Sequence, residues 1–187
     1  MSILNEYTKE KHREVESHPF IQYMLEERIT EKHYVMFLQQ MYNVYSNVEY
    51  FAGVSGILKG LDGIQRAESI RADLKELGYG LSSNILPATN KYRERIVELY
   101  YGENKSHLLA HVYVRHMGDL YGGKVIAKRV PGSGKMYQFE DRPALIKALD
   151  AKLSLDIVDE ALLGFDLAKG IFDELWEKIE NERNNKI

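Results

Sequence analysis

Residues 111–129 read His-Val-Tyr-Val-Arg-His-Met-Gly-Asp-Leu-Tyr-Gly-Gly-Lys-Val-Ile-Ala-Lys-Arg. Steps of three and four link Val112, Arg115, Asp119 and Gly122, and no proline occurs before Pro131, which predicts a helix. Yet three glycines fall within six residues, and each glycine inside a helix costs about 0.5–1 kcal/mol relative to alanine. Because local propensity and overall pattern disagree here, we expect this helix to carry function.

The three glycines have two structural interpretations. Helical spacing places Gly118 and Gly122 one turn apart, with Gly123 one step round the helix. Their missing side chains would let a flat ligand lie against bare backbone, beside the carboxylate of Asp119. The same glycines would also allow a neighbouring helix to pack closely, or allow the helix to kink. The spacing alone leaves these interpretations open.

Length and composition predict one globular domain over residues 1–187. The chain is 44% hydrophobic and 28% charged, and its net charge of −3 gives no indication of a nucleic-acid partner. It contains no cysteine, which excludes disulfides, thiolate metal sites and a cysteine nucleophile, and fits a reducing, cytoplasmic location. No signal-like terminus and no apolar run long enough to span a bilayer are present, so we expect a monomer without membrane contact.

Hydrophobic periodicity predicts an all-α fold without strands. Thr30 is expected to cap a long helix that carries an aromatic stripe, and Asp141 is expected to begin a helix before Pro143. In the first helix, Ile3 and Tyr7 are expected to face the core. The predicted helices cover residues 2–16, 20–28, 31–51, 64–77, 88–101, 106–129, 143–152 and 155–182.

Histidines are the candidate metal ligands. His107 and His111 lie four residues apart and could chelate a metal ion together. His12 lies one turn after Lys9 and one turn before Glu16, and a carboxylate there can accept the proton of the ring nitrogen that does not bind metal. An ordinary surface or core role is the alternative for each histidine. No Glu-x-x-His pair and no Ser-His-Asp signature occur, which argues against a di-iron bundle and a serine hydrolase.

Two segments together resemble heme oxygenases. Residues 8–16, Thr-Lys-Glu-Lys-His-Arg-Glu-Val-Glu, resemble the proximal-helix segment of that family. Residues 109–123, Leu-Ala-His-Val-Tyr-Val-Arg-His-Met-Gly-Asp-Leu-Tyr-Gly-Gly, resemble its distal-helix signature. The order and separation of the segments match the family, and the aromatic helix between them places Tyr42 and Tyr45 at family-like positions. The resemblance extends over most of the chain.

The resemblance implies a compact multi-helix domain with heme between a proximal N-terminal helix and a kinked, glycine-rich distal helix. His12 would bind the iron, Glu16 would lie near its other ring nitrogen, and Lys9 would meet a propionate. The bare backbone would approach the porphyrin, and Asp119 would order water on the distal side of the iron. The remaining residues with an implied role are Gly118, Gly122 and Gly123 at the porphyrin, and Tyr45, Tyr113 and Arg115 in the surrounding polar network.

The implied activity is oxidative cleavage of heme b, which is both substrate and cofactor, to biliverdin, carbon monoxide and ferrous iron. The reaction uses dioxygen and an external reductant, and the chain shows no flavin or iron–sulfur motif of its own. An acidic carrier such as ferredoxin could dock at Lys124, Lys128 and Arg129, although these residues would equally complement the helix dipole. A non-catalytic heme-binding or storage protein on the same fold is the alternative.

Several positions depart from the family pattern. Tyr121 stands where a small residue is common, and Lys124 stands where glutamine is common. The basic pair that clasps the propionates from a late helix has Lys147 and Lys152 as candidates, but their spacing differs from the family's. Cleavage at the alpha-meso carbon is therefore an expectation that rests on resemblance alone.

Overall fold

The computed structural model describes residues 2–185, and within them it contains nine α-helices and no strand, which confirms the predicted all-α fold. Short 3₁₀ turns precede α6, α8 and α9. The helices are α1 (Asn5–Glu16), α2 (Pro19–Leu25), α3 (Glu31–Val54), α4 (Ala67–Glu76), α5 (Pro87–Tyr101), α6 (Leu108–Val112), α7 (Gly118–Ile126), α8 (Arg142–Asp150) and α9 (Val158–Asn184).

Helix α3 is central to the core, and α4, α5, α6 and α9 pack against it. Thr30 caps it as predicted, because its hydroxyl accepts a hydrogen bond from the His33 amide at 3.3 Å. The aromatic stripe on one side of α3 is buried, and Phe37 packs among Phe20 and Phe172 at ring separations of 5.6 and 6.3 Å. This stripe fixes one face of α3 toward the interior and leaves Tyr45 to face the helices that follow α5.

The predicted orientation of the first helix is wrong. Ile3 and Tyr7 are 50% and 52% exposed, whereas Leu4 and Thr8 are buried. The helix packs against α9, and the Thr8 hydroxyl hydrogen-bonds the Leu4 carbonyl and the Tyr113 hydroxyl, each at 3.0 Å. A buried hydroxyl needs partners to offset its lost hydration, and here one partner lies 105 residues away. The register of the helix therefore depends on a contact that local periodicity does not reveal.

The helix predicted over residues 106–129 is interrupted. After α6 the chain makes a π-helical turn at Tyr113–Met117, and α7 begins directly at Gly118. The irregularity thus lies just before the glycines rather than among them. A π turn releases a carbonyl from the regular helical ladder, and the Arg115 carbonyl here lies 3.3 Å from the Tyr45 hydroxyl oxygen.

Two helix boundaries follow from local signals. Gly78 lies in the left-handed region at φ +81°, just after α4, and ends the helix because glycine adopts this conformation without steric cost. Asp141 caps α8 as predicted, because its carboxylate accepts a hydrogen bond from the Ala144 amide at 3.0 Å.

Within residues 2–185, no helix has both the length and the apolar character needed to cross a membrane.

Candidate functional site

His12 lies on α1 with its side chain 51% exposed. Its Nδ1 is 3.7 Å from a Glu16 carboxylate oxygen, one turn further along the helix. The imidazole stands edge-on to the Phe165 ring of α9, at a centroid separation of 6.1 Å. Within residues 2–185 no group hydrogen-bonds Nε2 of His12, so this nitrogen is available to a metal while Glu16 faces the other one.

The three glycines of α7 separate into two groups. A Cβ added at Gly118 would meet no atom within 4 Å, and one added at Gly122 would meet only Ile126 of its own helix, at 3.9 Å. A Cβ at Gly123 would lie 3.1 Å from the Tyr137 Cβ. Close packing therefore explains Gly123, whereas a ligand at Gly118 and Gly122 stays a prediction. Gly118 and Gly122 leave backbone open, and Gly123 permits close packing of the 3₁₀ turn before α8, so its role at a porphyrin stays a prediction.

A buried hydrogen bond joins the proximal and distal segments. The hydroxyls of Thr8 on α1 and Tyr113 in the π turn are 3.0 Å apart. Burial raises the pKa of the Tyr113 phenol, and its hydrogen bonds with Thr8 and Ser2 oppose that rise. Tyr121 is 60% exposed and is not part of the core. The Thr8–Tyr113 bond brings His12 and Gly118 onto neighbouring segments, since each lies about one turn beyond it.

Asp119 is buried and accepts a hydrogen bond from the Tyr45 hydroxyl at 2.5 Å. Burial raises the pKa of the Asp119 carboxyl, while the Arg115 charge and the Tyr45 hydrogen bond oppose that rise. Burial, followed by the Asp119 charge, raises the pKa of Tyr45 well above its ordinary value, so its phenol keeps its proton. Arg142 donates to the backbone carbonyl of Asp119 at 2.9 Å and holds the start of α7 in place.

Arg115 lies beside this carboxylate with few partners. Its guanidinium sits over the Tyr45 ring, 5.2 Å from the centroid, and one nitrogen donates to the Met41 sulfur at 3.2 Å. A thioether is a weak acceptor, and the Arg115 Nε is buried without a hydrogen-bond partner in the described chain. An unused buried donor beside Asp119 indicates a site that water or a bound molecule completes.

Sequence reasoning missed a buried pair next to this site. His116 is fully buried, and its Nε2 is 3.0 Å from a carboxylate oxygen of Glu49 on α3. Glu49 lies one turn after Tyr45 on the buried side of its helix. A glutamate in phase with an apolar stripe was the available signal, because such a residue needs a buried partner.

The predicted chelation of a metal ion by His107 and His111 is wrong. The His111 ring is fully buried, with Nδ1 at 3.0 Å from the Tyr92 hydroxyl and Nε2 at 2.8 Å from Glu160. Both nitrogens are therefore used in the core. Burial by itself would raise the pKa of Glu160, but hydrogen bonds from His111 and Arg95 lower it to about 2. No group of three or more potential ligands clusters as a metal site among the described residues.

The basic residues predicted to meet propionates or a partner lie at the surface. Lys9 and Lys147 are exposed and Lys152 is partly exposed, and none of the three forms an ion pair within residues 2–185. Lys124 and Lys128 are exposed at the end of α7. Their neighbour Arg129 donates a hydrogen bond to the Leu25 carbonyl at the end of α2.

Comparisons with known proteins agree on one family. A family model described as heme oxygenase matches residues 1–174. Heme oxygenase 2 of Oryctolagus cuniculus is 30% identical over 92% of this chain, and the match covers 65% of that protein, so this chain spans just under two thirds of its length. The heme oxygenase of Guillardia theta is 29% identical, over 92% of this chain and 84% of that protein.

Solved structures agree with these matches. The heme oxygenase from Leptospira interrogans superposes with a TM-score of 0.80 at 29% identity, covering 93% of this chain and all of that one. Heme oxygenase-1 from Synechocystis sp. PCC6803, solved in complex with heme, gives a TM-score of 0.81 at 24% identity over 98% of this chain and 96% of that one. At this lower identity the second match shows a shared fold.

Proposed function

Because this chain belongs to the heme oxygenase family, we propose that it binds heme b and cleaves it to biliverdin, carbon monoxide and ferrous iron. The reaction would consume dioxygen and electrons from an external donor. The observation that supports this most is the open backbone of Gly118 and Gly122 beside the buried carboxylate of Asp119. The Thr8–Tyr113 hydrogen bond joins that segment to the helix that carries His12.

The side chains fit a heme. Nε2 of His12 is free to bind iron as a neutral imidazole, and Glu16 can accept the proton of its Nδ1, which orients the ring. The backbone at Gly118 and Gly122 leaves the space that side chains would otherwise fill. When bound, heme supplies the iron that activates dioxygen and the carbon ring that is oxidised.

The distal residues of the chain hold protons and water. Asp119 accepts a hydrogen bond from Tyr45 and retains lone pairs that can orient a water molecule. Arg115 supplies a nearby positive charge and a buried donor with no partner among the described residues. Such preorganised polar groups stabilise developing charge without rearranging during the reaction. We propose that Asp119 positions the proton-donating water, with Tyr45, Arg115 and Tyr113 supporting it.

The position of heme within its own plane decides which meso carbon is cleaved. Lys9, Lys147 and Lys152 are the proposed contacts of the propionates, since each is an ammonium group without an ion pair in the described structure. Two anionic propionates held by lysines would restrict rotation of the ring in its plane. Alpha-meso cleavage is the outcome that the family membership favours.

The substitutions Gly118→Leu and Gly123→Ala should change the free energy of unfolding in opposite directions. A leucine in place of Gly118 would gain helix propensity, and its Cβ would meet no atom within 4 Å, so the free energy of unfolding should stay equal or rise by up to about 1 kcal/mol. Hemin affinity should fall by about 10–100-fold, because the side chain fills the space of the macrocycle. An alanine in place of Gly123 would crowd Tyr137 and should lower stability by about 1–3 kcal/mol. Urea unfolding and hemin titration of both variants measure this, and full hemin affinity in the Gly118→Leu variant would contradict the proposed site.

We propose that an acidic electron carrier such as ferredoxin docks at the end of α7. The double substitution Lys124→Glu and Lys128→Glu should raise the KM for a ferredoxin by about tenfold at low salt, because complementary charges steer association. The difference should disappear at high salt. Lys91→Glu on α5, a helix not packed against α7, is the matched control. If turnover is unaffected by charge reversal at low salt, these lysines serve only the helix dipole.

The proposed activity is tested with the heme-loaded protein, dioxygen and a reductant. We expect loss of the Soret band, growth of a biliverdin band, and release of one carbon monoxide and one iron per heme. The products should be measured by spectroscopy, gas analysis and an iron chelator. A heme complex that survives many equivalents of reductant unchanged would overturn the proposed activity and leave a heme-binding role.

A further inference from the structure

The ring of His116 is enclosed by acceptors on both sides. It is fully buried in the π turn, with Nδ1 at 3.1 Å from the Val112 carbonyl and Nε2 at 3.0 Å from Glu49. A backbone carbonyl has no proton to donate, so the nitrogen that faces Val112 must carry one. The protonation of the other nitrogen depends on whether Glu49 is a carboxylate or a carboxylic acid.

Glu49 has the surroundings of a carboxylate. Glu49 belongs to α3, but its side chain reaches the N-terminus of α4. There its two oxygens accept hydrogen bonds from the backbone amides of Arg66 and Ala67. These amides are free donors of a helix start, and the positive end of the helix dipole favours an anion there. The oxygen that faces His116 already accepts the Arg66 amide. With every neighbour donating to it, Glu49 has no acceptor to which it could give a proton except His116 itself.

We infer that His116 is an imidazolium, protonated on both nitrogens at neutral pH. Its positive charge stabilises the ionised form of the neighbouring Asp119. Ionised Glu49 and the Val112 carbonyl each require an N–H from the ring. The edge of the ring also faces Tyr45, whose hydroxyl binds Asp119, with 5.1 Å between ring centroids. The fully buried cation therefore lies beside the Tyr45–Asp119 pair.

His111 provides an internal contrast five residues earlier. It is equally buried and also faces a glutamate, but its second partner is the Tyr92 hydroxyl, which can donate. A neutral ring with its proton on Nε2 satisfies both contacts of His111. Burial lowers the pKa of His111, which agrees with a neutral ring. The direct partners of the two rings differ in one group, a hydroxyl against a carbonyl. Glu160 is in addition paired with Arg95, whose charge disfavours a second positive charge on His111, whereas Glu49 is bound by backbone amides.

The charge of His116 is one of several that affect the pKa of the Asp119 carboxyl. It lowers the pKa of Asp119, acting against the burial that raises it, as does the Tyr45 hydrogen bond. Replacing His116 with glutamine retains a donor to Glu49 and removes the charge, so Asp119 should take up a proton at higher pH. The charged and titratable groups that face Asp119 or His116 from the packed elements are Arg115 in the π turn, Tyr34, Tyr45 and Glu49 on α3, Arg66 before α4, Tyr137 before α8 and Arg142 on α8.

The charge state is measured on the heme-free protein, so the result does not depend on the proposed activity. Nitrogen-detected imidazole NMR spectra at pH 7 should show His116 with both nitrogens protonated and His111 as a neutral ring. The two signals are assigned by their loss in the His116→Gln and His111→Gln variants. A neutral His116 in the wild-type protein would overturn the inference.

The effect on Asp119 is measured by the infrared band of its protonated carboxyl group, identified by its loss in Asp119→Asn. The pH at which this band appears should rise by about one unit in His116→Gln, because an opposite charge nearby shifts a carboxyl by at least that amount. It should stay unchanged in His111→Gln, which is the matched control, and return toward the wild-type value in His116→Lys. An unchanged value in His116→Gln would overturn the role of the charge.

The consequence for turnover rests on the proposed function. If the protein cleaves heme, the acid limb of its pH–rate profile should move upward by the same amount in His116→Gln. If it does not cleave heme, the NMR and infrared results still decide the inference.

Discussion

Replacing Asp119 with asparagine is expected to lower biliverdin formation by at least about 100-fold while hemin binding stays nearly unchanged. The amide has the shape of the carboxylate but carries no charge and cannot hold or exchange a proton. General acid–base groups contribute about 10²–10⁴-fold to rates. The measurement is biliverdin yield per heme under single turnover, together with hemin affinity. Part of the dioxygen that the external donor has reduced to the peroxide level should then oxidise added phenols, as in a peroxidase, instead of the heme ring.

The control for this prediction is Tyr45→Phe. It removes the 2.5 Å hydrogen bond to Asp119 and leaves the carboxylate in place. Because a hydrogen bond to a charged group contributes about 1.5–3 kcal/mol, this variant should lose about tenfold or somewhat more in rate, and less than Asp119→Asn. An undiminished biliverdin yield in Asp119→Asn would refute the role assigned to the carboxylate.

The second large effect is expected for His12→Ala. The side chain is half exposed and its nearest charged partner is the exposed Glu16, so the free energy of unfolding should change by less than about 0.5 kcal/mol. Hemin should lose its protein ligand, with a shifted Soret band and no biliverdin formation. Added imidazole should restore ligation and part of the activity.

Glu16→Gln is the matched control for His12→Ala. It leaves the iron ligand in place and weakens only the acceptor that orients it, so hemin affinity should fall by no more than about tenfold. A Soret spectrum of His12→Ala identical to the wild-type spectrum would show that another group binds the iron.

The parts of the fold that are predictable depend on local signals. Helix α3 carries an apolar stripe over many turns and a cap at Thr30, and α8 begins at Asp141, because such signals act within a few residues. The predicted register of α1 is wrong for the opposite reason. Two apolar residues, Ile3 and Tyr7, define its face poorly, and Thr8 is buried because Tyr113 meets it from a distant part of the chain.

The candidate site also contains residues that local signals reveal and residues whose roles depend on distant parts of the chain. The glycines stand out because they violate helix propensity, Asp119 stands out as the carboxylate beside them, and family resemblance adds His12. The π turn at Tyr113–Met117 could not be predicted, since an inserted residue leaves the periodicity of the flanking helices intact. The pairing of Glu49 with His116 joins α3 to the π turn across 67 positions, and the phase of Glu49 on its helix indicates a buried partner without identifying it. Spacing groups Gly123 with the other two glycines, because it does not show which face of the helix meets a neighbouring turn.

The most direct test is a crystal structure of the hemin complex with the iron located by its anomalous scattering. We expect the iron at bonding distance from Nε2 of His12, with the backbone of Gly118 and Gly122 against the opposite face of the macrocycle. Iron bound by any other side chain, or a macrocycle lying away from Gly118, would contradict the account.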